Sequence, residues 1–336
     1  MATGASDKAD YLISLGYLDE NGYLRNSGFD RISARMSANI QPKAWFKAGL
    51  NVAGTHQNFT NTNGDSSGSY TNVFNYARNI SPIYPVHLHD VTTGDYVRDA
   101  QGHLTYDPGY YTDANGNEQM TRNQYPDRHV IWENEMNSDK TIRNTLNGIA
   151  YANLILPYGF TFMLKGSLNL RHSDNTKYYS GVIGDAKGVN GRSTRTNYRY
   201  KDYNFQQQLH WVHEFGVHSL DALVGHENYA WNRNYLSGNK YDETSEGKVQ
   251  WLNFNTIQSL EDFQDNYRTE SYLGRIRYGY DSKYNAEVSF RRDGSSRFSK
   301  SARWGNFWSC GANWVVTYEE FMKKYTWVDY LTLRAD

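Results

Sequence analysis

The sequence predicts an all-β fold: an antiparallel transmembrane β-barrel segment of about eleven strands with long extracellular loops. Three observations support this prediction. Apolar and polar residues alternate along eleven segments, the connections between these segments alternate between short and long, and aromatic residues gather near the connections. A period of two indicates strands with one apolar and one polar face. Short turns on one side and long loops on the other are typical of outer-membrane barrels.

The alternation is clearest in three segments. In residues 30–40, Ile32, Met36 and Ile40 share one face with two alanines, and arginine, serine and asparagine occupy the other. Residues 45–53 and 160–171 repeat this pattern. The other predicted strands lie near residues 10–18, 142–156, 203–212, 219–229, 269–280, 284–292, 305–316 and 330–335. Segment 219–229 has the weakest pattern, because Leu223 falls on its polar face.

The connections differ strongly in length. The tight ones are 41–43, 157–159, 213–218 and 281–283, and the long polar ones are 19–28, 58–138, 172–198, 230–268 and 293–304. All six prolines fall in connections, as expected for a residue that cannot donate to a strand ladder. Connection 58–138 alone is long enough for a small subdomain. A short helix is predicted at 317–324, where Thr317 and Glu320 have the spacing of a capping box.

Tyrosine and tryptophan dominate the aromatic residues, with 29 Tyr and 9 Trp in 336 residues. Both carry an apolar ring with a polar tip and suit the boundary between water and lipid. Their positions predict two girdles, one near the short turns (Trp45, Trp211, Tyr280, Tyr284, Trp314) and one near the mouths of the long loops (Tyr229, Trp231, Trp304). The alternative is that these rings fill the core of a soluble sandwich.

Composition excludes several classes of protein. With 35 Lys+Arg against 36 Asp+Glu, the chain lacks the basic surplus that nucleic-acid binding requires. A single cysteine, Cys310, excludes an internal disulfide framework and a cysteine-built zinc site. No apolar run is long enough for a transmembrane helix. Residues 1–10 lack a basic-then-apolar pattern, so no secretory signal peptide is expected here.

Several separated motifs resemble those of one known family. They are Asn26–Arg35 followed by Gln41-Pro-Lys and Trp45, Tyr76–Pro85, Gly225-His-Glu227, and the most specific group, Arg291–Phe298 with Trp304–Phe307, Trp314, Glu320-Phe321 and Leu331–Ala335. In this order and at this spacing they resemble the middle of the barrel of SusC/RagA-family TonB-linked outer-membrane proteins (TonB-dependent receptors). The resemblance extends from about Tyr11 to the end of the chain.

The resemblance implies a protein of the cell outer membrane that imports oligosaccharides or oligopeptides. Members of this family have a 22-stranded barrel, an N-terminal plug, a SusD-like surface lipoprotein as a lid, and energy supplied by TonB with ExbB and ExbD. About eleven strands is half of such a barrel. We therefore expect residues 1–336 to form part of the barrel domain, without the plug domain and the terminal strands. The expected contacts are outer-membrane lipid and substrate, and no catalytic step is implied.

The polar faces of the strands carry the candidate substrate-binding residues. These lumen-facing candidates are Arg31, Arg35, Lys47, Lys165, Arg171, Arg275 and Arg277, accompanied by Glu287. The favoured alternative for each of them is contact with the plug or with water, without a role in substrate binding. The loop aromatics Tyr84, Tyr110 and Tyr111 are suited either to stacking on sugar rings or to packing within the loops.

Two further pairs of residues have side chains suited to catalysis or metal binding. Glu133 and Glu135 lie on one face if their segment is extended, and a glycosidase needs two carboxylates about a bond. His87 and His89 offer two metal ligands without a third at fixed spacing. We interpret both pairs as polar loop residues, so no catalytic, cofactor-binding or metal site is predicted. The alternative functions are a soluble or cell-surface carbohydrate-binding β protein and, on the glutamate pair alone, a secreted glycosidase.

Overall fold

The computed structural model describes residues 1–62 and 72–336. Twelve strands form one antiparallel sheet in which each strand pairs with its neighbours in the chain. They are β1 Ala2–Ser6, β2 Ala9–Asn21, β3 Gly28–Lys43, β4 Phe46–Asn61, β7 Ser138–Ile155, β8 Phe160–Tyr179, β9 Arg192–Phe215, β10 His218–Glu243, β11 Phe254–Tyr280, β12 Tyr284–Ser295, β13 Trp304–Val315 and β14 Thr332–Ala335. Between β4 and β7 lie helix α1 (Val73–Asn79), the two-stranded hairpin β5 (Tyr110–Thr112) and β6 (Glu118–Met120), and helix α2 (Val130–Met136).

All eleven predicted strands are present, and β1 is a twelfth strand that the sequence pattern did not indicate. Several strands extend well past their predicted bounds at the long-loop end. Strand β11, for example, has 27 residues and begins at Phe254, whereas alternation is visible only from residue 269. The apolar residues of this added length, Phe254, Ile257, Leu260 and Phe263, are three residues apart, so they show no period of two for a sequence pattern to reveal.

The predicted helix at 317–324 is wrong. Two 3₁₀ turns, Val316–Tyr318 and Glu320–Met322, occupy this segment. Thr317 does not cap a helix, because its Oγ1 accepts the backbone N–H of Leu331 at 3.3 Å. This bond ties the connection to the start of β14. In the described parts of the chain, no helix is long and apolar enough to cross a membrane.

The register places alternate residues of neighbouring strands on common faces of the sheet. Directly paired residues share a face, so that Ile276 of β11 joins Ala222 of β10 and Val288 of β12. We call this side the apolar face. Its large side chains are exposed: Leu15 by 76%, Val224 by 58% and Val288 by 57%. Such continuous apolar exposure marks a surface that contacts lipid or another protein.

Aromatic rings follow the short-turn end of the apolar face. Ring centroids lie 5.1 Å apart for Phe215 and His218, 5.2 Å for His218 and Tyr280, 6.2 Å for Tyr280 and Tyr284, and 6.3 Å for Tyr284 and Trp314. The predicted girdle near the short turns is therefore present as a row of neighbouring rings. We call it the lower belt.

The second predicted girdle is only partly right. Trp304 pairs with Gly294 on the apolar face, 6.1 Å from the ring of Tyr272. Tyr229 and Trp231, however, pair with Asn204 and Asp202 on the opposite, polar face. Whether a residue of β10 lies on the apolar or the polar face depends on its place in the alternation. Leu223, an apolar residue on the polar face, obscures this alternation in the sequence. Tyr272 and Trp304 form the upper belt.

The fully buried core lies outside the middle of the sheet. Buried hydrophobic residues gather at the long-loop end (Tyr76, Tyr178, Ile183, Ala186, Phe254) and beside the last short turns (Val315, Val316). The sheet itself is a single layer with two accessible faces. The interlocking loops therefore provide the globular packing that fixes the geometry at the loop end.

Candidate functional site: the cap and the polar face

The connection between β4 and β7 is folded, and we call its described part, residues 72–137, the cap. Tight turns in the cap are fixed by aspartates that accept backbone N–H bonds two residues on, as Asp90 does from Thr92 at 2.8 Å. Asp99 and Asp113 repeat this arrangement. Backbone hydrogen bonds within each turn hold the pKa of all three carboxyls below the usual value. These exposed hairpins are ordered by local bonding, as expected for Asx turns.

The centre of the cap is a buried ion pair. Arg122 and Asp107 have side chains that are 1% and 2% exposed, with Arg122 Nη1 3.1 Å from Asp107 Oδ2. The guanidinium also donates to the backbone carbonyls of Asp107, Gln124, Tyr125 and Arg128. A buried guanidinium is tolerated only when its donors are satisfied in this way. The cap is thus organised by a polar centre rather than by an apolar one.

Helix α2 adds a second buried polar cluster. Glu133 accepts the backbone N–H of His129 at 3.0 Å and lies 2.9 Å from Arg128 Nη2. Burial raises the pKa of Glu133 to about 7, against the opposing effect of Arg128. Burial lowers the pKa of His129 to about 4. His129 is therefore neutral near pH 7 and accepts the Trp132 N–H at its Nδ1, at 3.1 Å.

The cap is docked on both neighbouring loops. On the side of the β2–β3 loop, Arg25 lies 3.1 Å from Glu135. The amides of Asn26 and Asn134 bond reciprocally across the same contact, to Asn134 O at 2.7 Å and Arg25 O at 2.6 Å. A cap that is held by two separate loops is fixed in orientation as well as in position.

The contacts with the β8–β9 loop include two ion pairs. Lys187 bonds to Asp127 and, at 2.9 Å, to the Tyr110 hydroxyl. Arg128 bonds to Asp185. Three loops of the sheet are consequently joined through the cap.

The structure of the cap shows what the glutamate pair and the histidine pair of the sequence do. Glu133 and Glu135 lie in helix α2, not on one face of an extended segment, and each is committed to a different partner. The expectation that extended backbone would align them is wrong. His87 stacks on Tyr106 at 5.2 Å, and His89 Nδ1 contacts Gly94 O at 2.9 Å. Within residues 1–62 and 72–336, no group of three His, Cys, Asp or Glu side chains is placed to hold a metal ion.

The three loop aromatics have different surroundings. Lys187 covers the ring of Tyr110 at 4.7 Å, so Tyr110 belongs to the docking contact. Tyr84 and Tyr111 are half-buried. Whether either stacks on a sugar remains a prediction.

The seven cationic lumen candidates lie on the polar face of the sheet, as their register shows. They are Arg31, Arg35, Lys47, Lys165, Arg171, Arg275 and Arg277. Three have partners there: Arg275 lies 3.3 Å from Asp221, Arg277 pairs with Glu287, and Arg171 lies 4.1 Å above the Tyr200 ring. Among the described residues, no ion-pair partner is found for the other four, which leaves their charge open to solvent or a ligand. Contact with substrate remains a prediction for all seven.

No protein-family profile matches the chain. "TonB-dependent receptor P39" of Formosa agariphila is 28% identical over 342 residues, covering 99% of this chain and 29% of the relative. "TonB-dependent receptor SusC" of Bacteroides thetaiotaomicron is 27% identical over 348 residues, covering 98% and 32%. The chain thus spans about 30% of the length of these curated relatives.

Solved structures agree with the fold. The RagAB peptide importer in its closed-closed state superposes with a TM-score of 0.76 at 20% identity, over 99% of this chain and 35% of that one. A second structure, of the RagAB peptide transporter, gives 0.72 at 20% identity, with the same coverage. The sheet with one apolar face, a ring belt and long loops on one side is the wall of an outer-membrane β-barrel. The chain is homologous to the TonB-dependent receptors of the SusC/RagA family, which confirms the resemblance in its sequence and the outer-membrane location.

Proposed function

We propose that the chain forms part of the barrel wall and the substrate-facing loops of a TonB-dependent importer for oligosaccharides or oligopeptides. In this proposal residues 1–336 belong to the barrel domain of a larger receptor. A SusD-like surface lipoprotein would deliver the substrate, and TonB with ExbB and ExbD would supply the energy.

One observation carries the proposal: the sheet separates an exposed apolar band from a polar face. Tyr272 and Tyr280 are eight residues apart on β11 and mark the two belts. Eight residues span about 27 Å along a strand, which is about 21 Å in height at a tilt of ~40°. This is close to the ~25 Å apolar band of outer-membrane barrels.

The two faces have the chemistry that the roles require. Between the belts, the apolar face carries Ile276 and Val288, which are 56% and 57% exposed. A soluble carbohydrate-binding protein would leave this band in water, which disfavours that alternative. The polar face carries the cations and amides expected of an aqueous lumen. Because the glutamates of α2 are engaged in ion pairs, no observation favours the glycosidase.

The test is uptake by the host bacterium. Deleting the gene should abolish uptake of a defined set of labelled oligosaccharides or peptides, and restoring it should recover uptake. Deleting tonB should give the same loss while the receptor stays in the outer membrane at its normal level. Uptake that is unchanged by deleting the gene, or recovery of the chain in the soluble fraction, would contradict the proposal.

A further inference from the structure

A continuous row of aromatic rings lies on the polar face at the loop end of β9–β11. Its members are Tyr198, Tyr200, Tyr229, Trp231, Tyr235, Phe263 and Tyr267. The centroid distances along the row are 4.7 Å for Phe263 and Tyr235, 4.8 Å for Tyr235 and Tyr198, 5.7 Å for Tyr198 and Tyr200, 6.3 Å for Tyr200 and Trp231, 5.7 Å for Trp231 and Tyr267, and 5.6 Å for Tyr267 and Tyr229. We call this row the aromatic track.

The track lies on the lumen side of the wall, not on the lipid side. Tyr200 pairs with Arg233, and Trp231 pairs with Asp202, in the same register that places Arg171 and Arg275 on the polar face. Tyr229 and Tyr235 are six residues apart on β10. At ~3.4 Å per residue the track is about 20 Å long. It therefore runs along the path that a substrate follows from the loops toward the lumen.

We propose that the aromatic track binds neutral oligosaccharides on their way into the lumen. This inference rests on the proposed import function and assigns a substrate class to it. The apolar C–H faces of sugar rings pack on aromatic faces, whose negative potential attracts them. A row of similar faces offers successive sites of similar affinity, so a sugar chain can advance from one to the next.

The surroundings of the rings favour sugars over peptides. Asn169 donates to Asp202 at 3.0 Å, and Asn204 and Gln206 donate to Glu227 at 2.6 and 3.0 Å. Amides and carboxylates beside aromatic faces are partners for sugar hydroxyls. On this face of β9–β11, over residues 198–206, 227–235 and 263–271, no Leu, Ile, Val or Met side chain is present to receive an apolar peptide side chain.

The hydroxyl groups of the track are also suited to polyols. Five of its seven members are tyrosines, and each phenol can both donate and accept a hydrogen bond. The track thus presents hydroxyl groups beside ring faces.

Charge at the track is only partly balanced. Arg233 lies 3.5 Å from Asp265 and 4.9 Å above Phe263, and Arg171 and Arg297 cover Tyr200 and Tyr267 at 4.1 and 4.7 Å. In the described part of the chain, no cation lies above the rings of Tyr198, Tyr229 and Tyr235. Arg233 lies over the ring of Trp231 at 5.7 Å, the longest of these cation–ring distances. The three uncovered rings and the weakly covered Trp231 are the expected stacking positions.

The test compares matched variants of the complete receptor in its host. Trp231→Leu removes an aromatic face but keeps apolar bulk, Trp231→Phe keeps a ring, and Tyr203→Leu changes a ring on the apolar face of β9. The probes are labelled neutral oligosaccharides released from starch, xylan and mannan, and peptides from a tryptic digest of casein, all below saturation. Receptor levels in the outer membrane are matched first by immunoblot.

We expect oligosaccharide uptake to depend on the gene and to fall about fivefold to tenfold in Trp231→Leu, the scale of one lost aromatic contact. Trp231→Phe should lose less than twofold, and Tyr203→Leu should match the unmodified receptor. If Trp231→Leu and Tyr198→Leu each take up oligosaccharides as fast as the unmodified receptor, the track is overturned while the proposed import function stands. Gene-dependent uptake of peptides alone would overturn it in the same way. If the gene affects no probe, the proposed function fails as well.

Discussion

The buried pair of Arg122 and Asp107 gives the sharpest prediction for stability. Replacing Arg122 with methionine keeps side-chain length but removes every donor of the guanidinium. We expect this change to unfold the cap selectively and to leave the sheet intact. The reason is that Arg122 bonds to four backbone carbonyls and a carboxylate inside the cap.

The magnitude follows from what remains after the substitution. Asp107, 2% exposed, would lose its cation, and removing one partner of a buried pair costs about 3–5 kcal/mol. Asp107 keeps the Gly109 N–H at 2.7 Å and the Thr121 hydroxyl at 3.2 Å, which moderates this loss. The backbone carbonyls that lose their bonds to the guanidinium add to the loss of cap stability. We expect a total on the order of 4 kcal/mol, which is about a thousandfold increase in cap opening.

Amide hydrogen exchange of the purified receptor in detergent measures this opening. The informative amides are those of Glu133 and Asn137, which bond to His129 O and Glu133 O at 2.8 Å. The matched control is Arg98→Met, because Arg98 is exposed and makes a single bond to Gly102 O at 2.7 Å. Its effect should stay within about 0.5 kcal/mol.

Two results would refute this reasoning. Protection of the cap amides in Arg122→Met within about threefold of the parent would mean that the polar centre does not hold the cap. Equal loss of protection in β10 and β11 would mean that the cap does not open as a separate unit.

Three further predictions concern pH, docking and lipid contact. The pKa of Glu133 is about 7 in the folded cap and 4.5 in the unfolded chain, so between these pH values only the folded cap binds this proton, and the contribution of Glu133 to stability falls as pH rises. The pKa of His129 is about 4 folded and 6.5 unfolded, so its contribution to stability rises with pH between these values. In Glu133→Gln only the histidine effect remains, and cap stability should rise by on the order of 3 kcal/mol between pH 4 and 6.5, measured by hydrogen exchange corrected for intrinsic rates; a flat profile would contradict this. Lys187→Met should weaken docking of the β8–β9 loop by about 1 kcal/mol at most, since Lys187 is 31% exposed and partly screened, and its effect should shrink in high salt when loop exchange is measured. Val288→Arg, on the apolar face midway between the belts, should cost about 2–4 kcal/mol in denaturant unfolding from lipid vesicles, whereas Ser289→Arg on the polar face should cost much less; equal costs would reject the assignment of faces.

The sequence predicts the membrane part of the fold well, because a strand between lipid and water must alternate. Ile32, Met36 and Ile40 show this directly, and all eleven alternating segments are strands. The loop-end extensions were missed because their apolar residues do not alternate. In segment 254–268 of β11, for example, Phe254, Ile257 and Leu260 are three residues apart.

The cap was the least predictable part. At its centre, Arg122 bonds to backbone carbonyls that only folding brings together around the guanidinium. Such a site leaves no apolar period in the sequence. The aromatic track was missed for a different reason. Trp231 near a loop mouth suits a lipid girdle and a lumen wall equally, and only the pairing with Asp202 decides between them.

The length of β11 has a consequence for what the receptor meets first. Phe254 lies 18 residues beyond Tyr272 of the upper belt, which is about 60 Å along the strand and more than ~40 Å in height at the same tilt. This part of β11 is paired with β10, so the two strands form a rigid extension of the wall above the lipid headgroups. Its tip therefore lies far from the lipid surface. Changes at the tip can alter this outermost surface without altering the lipid-embedded band below.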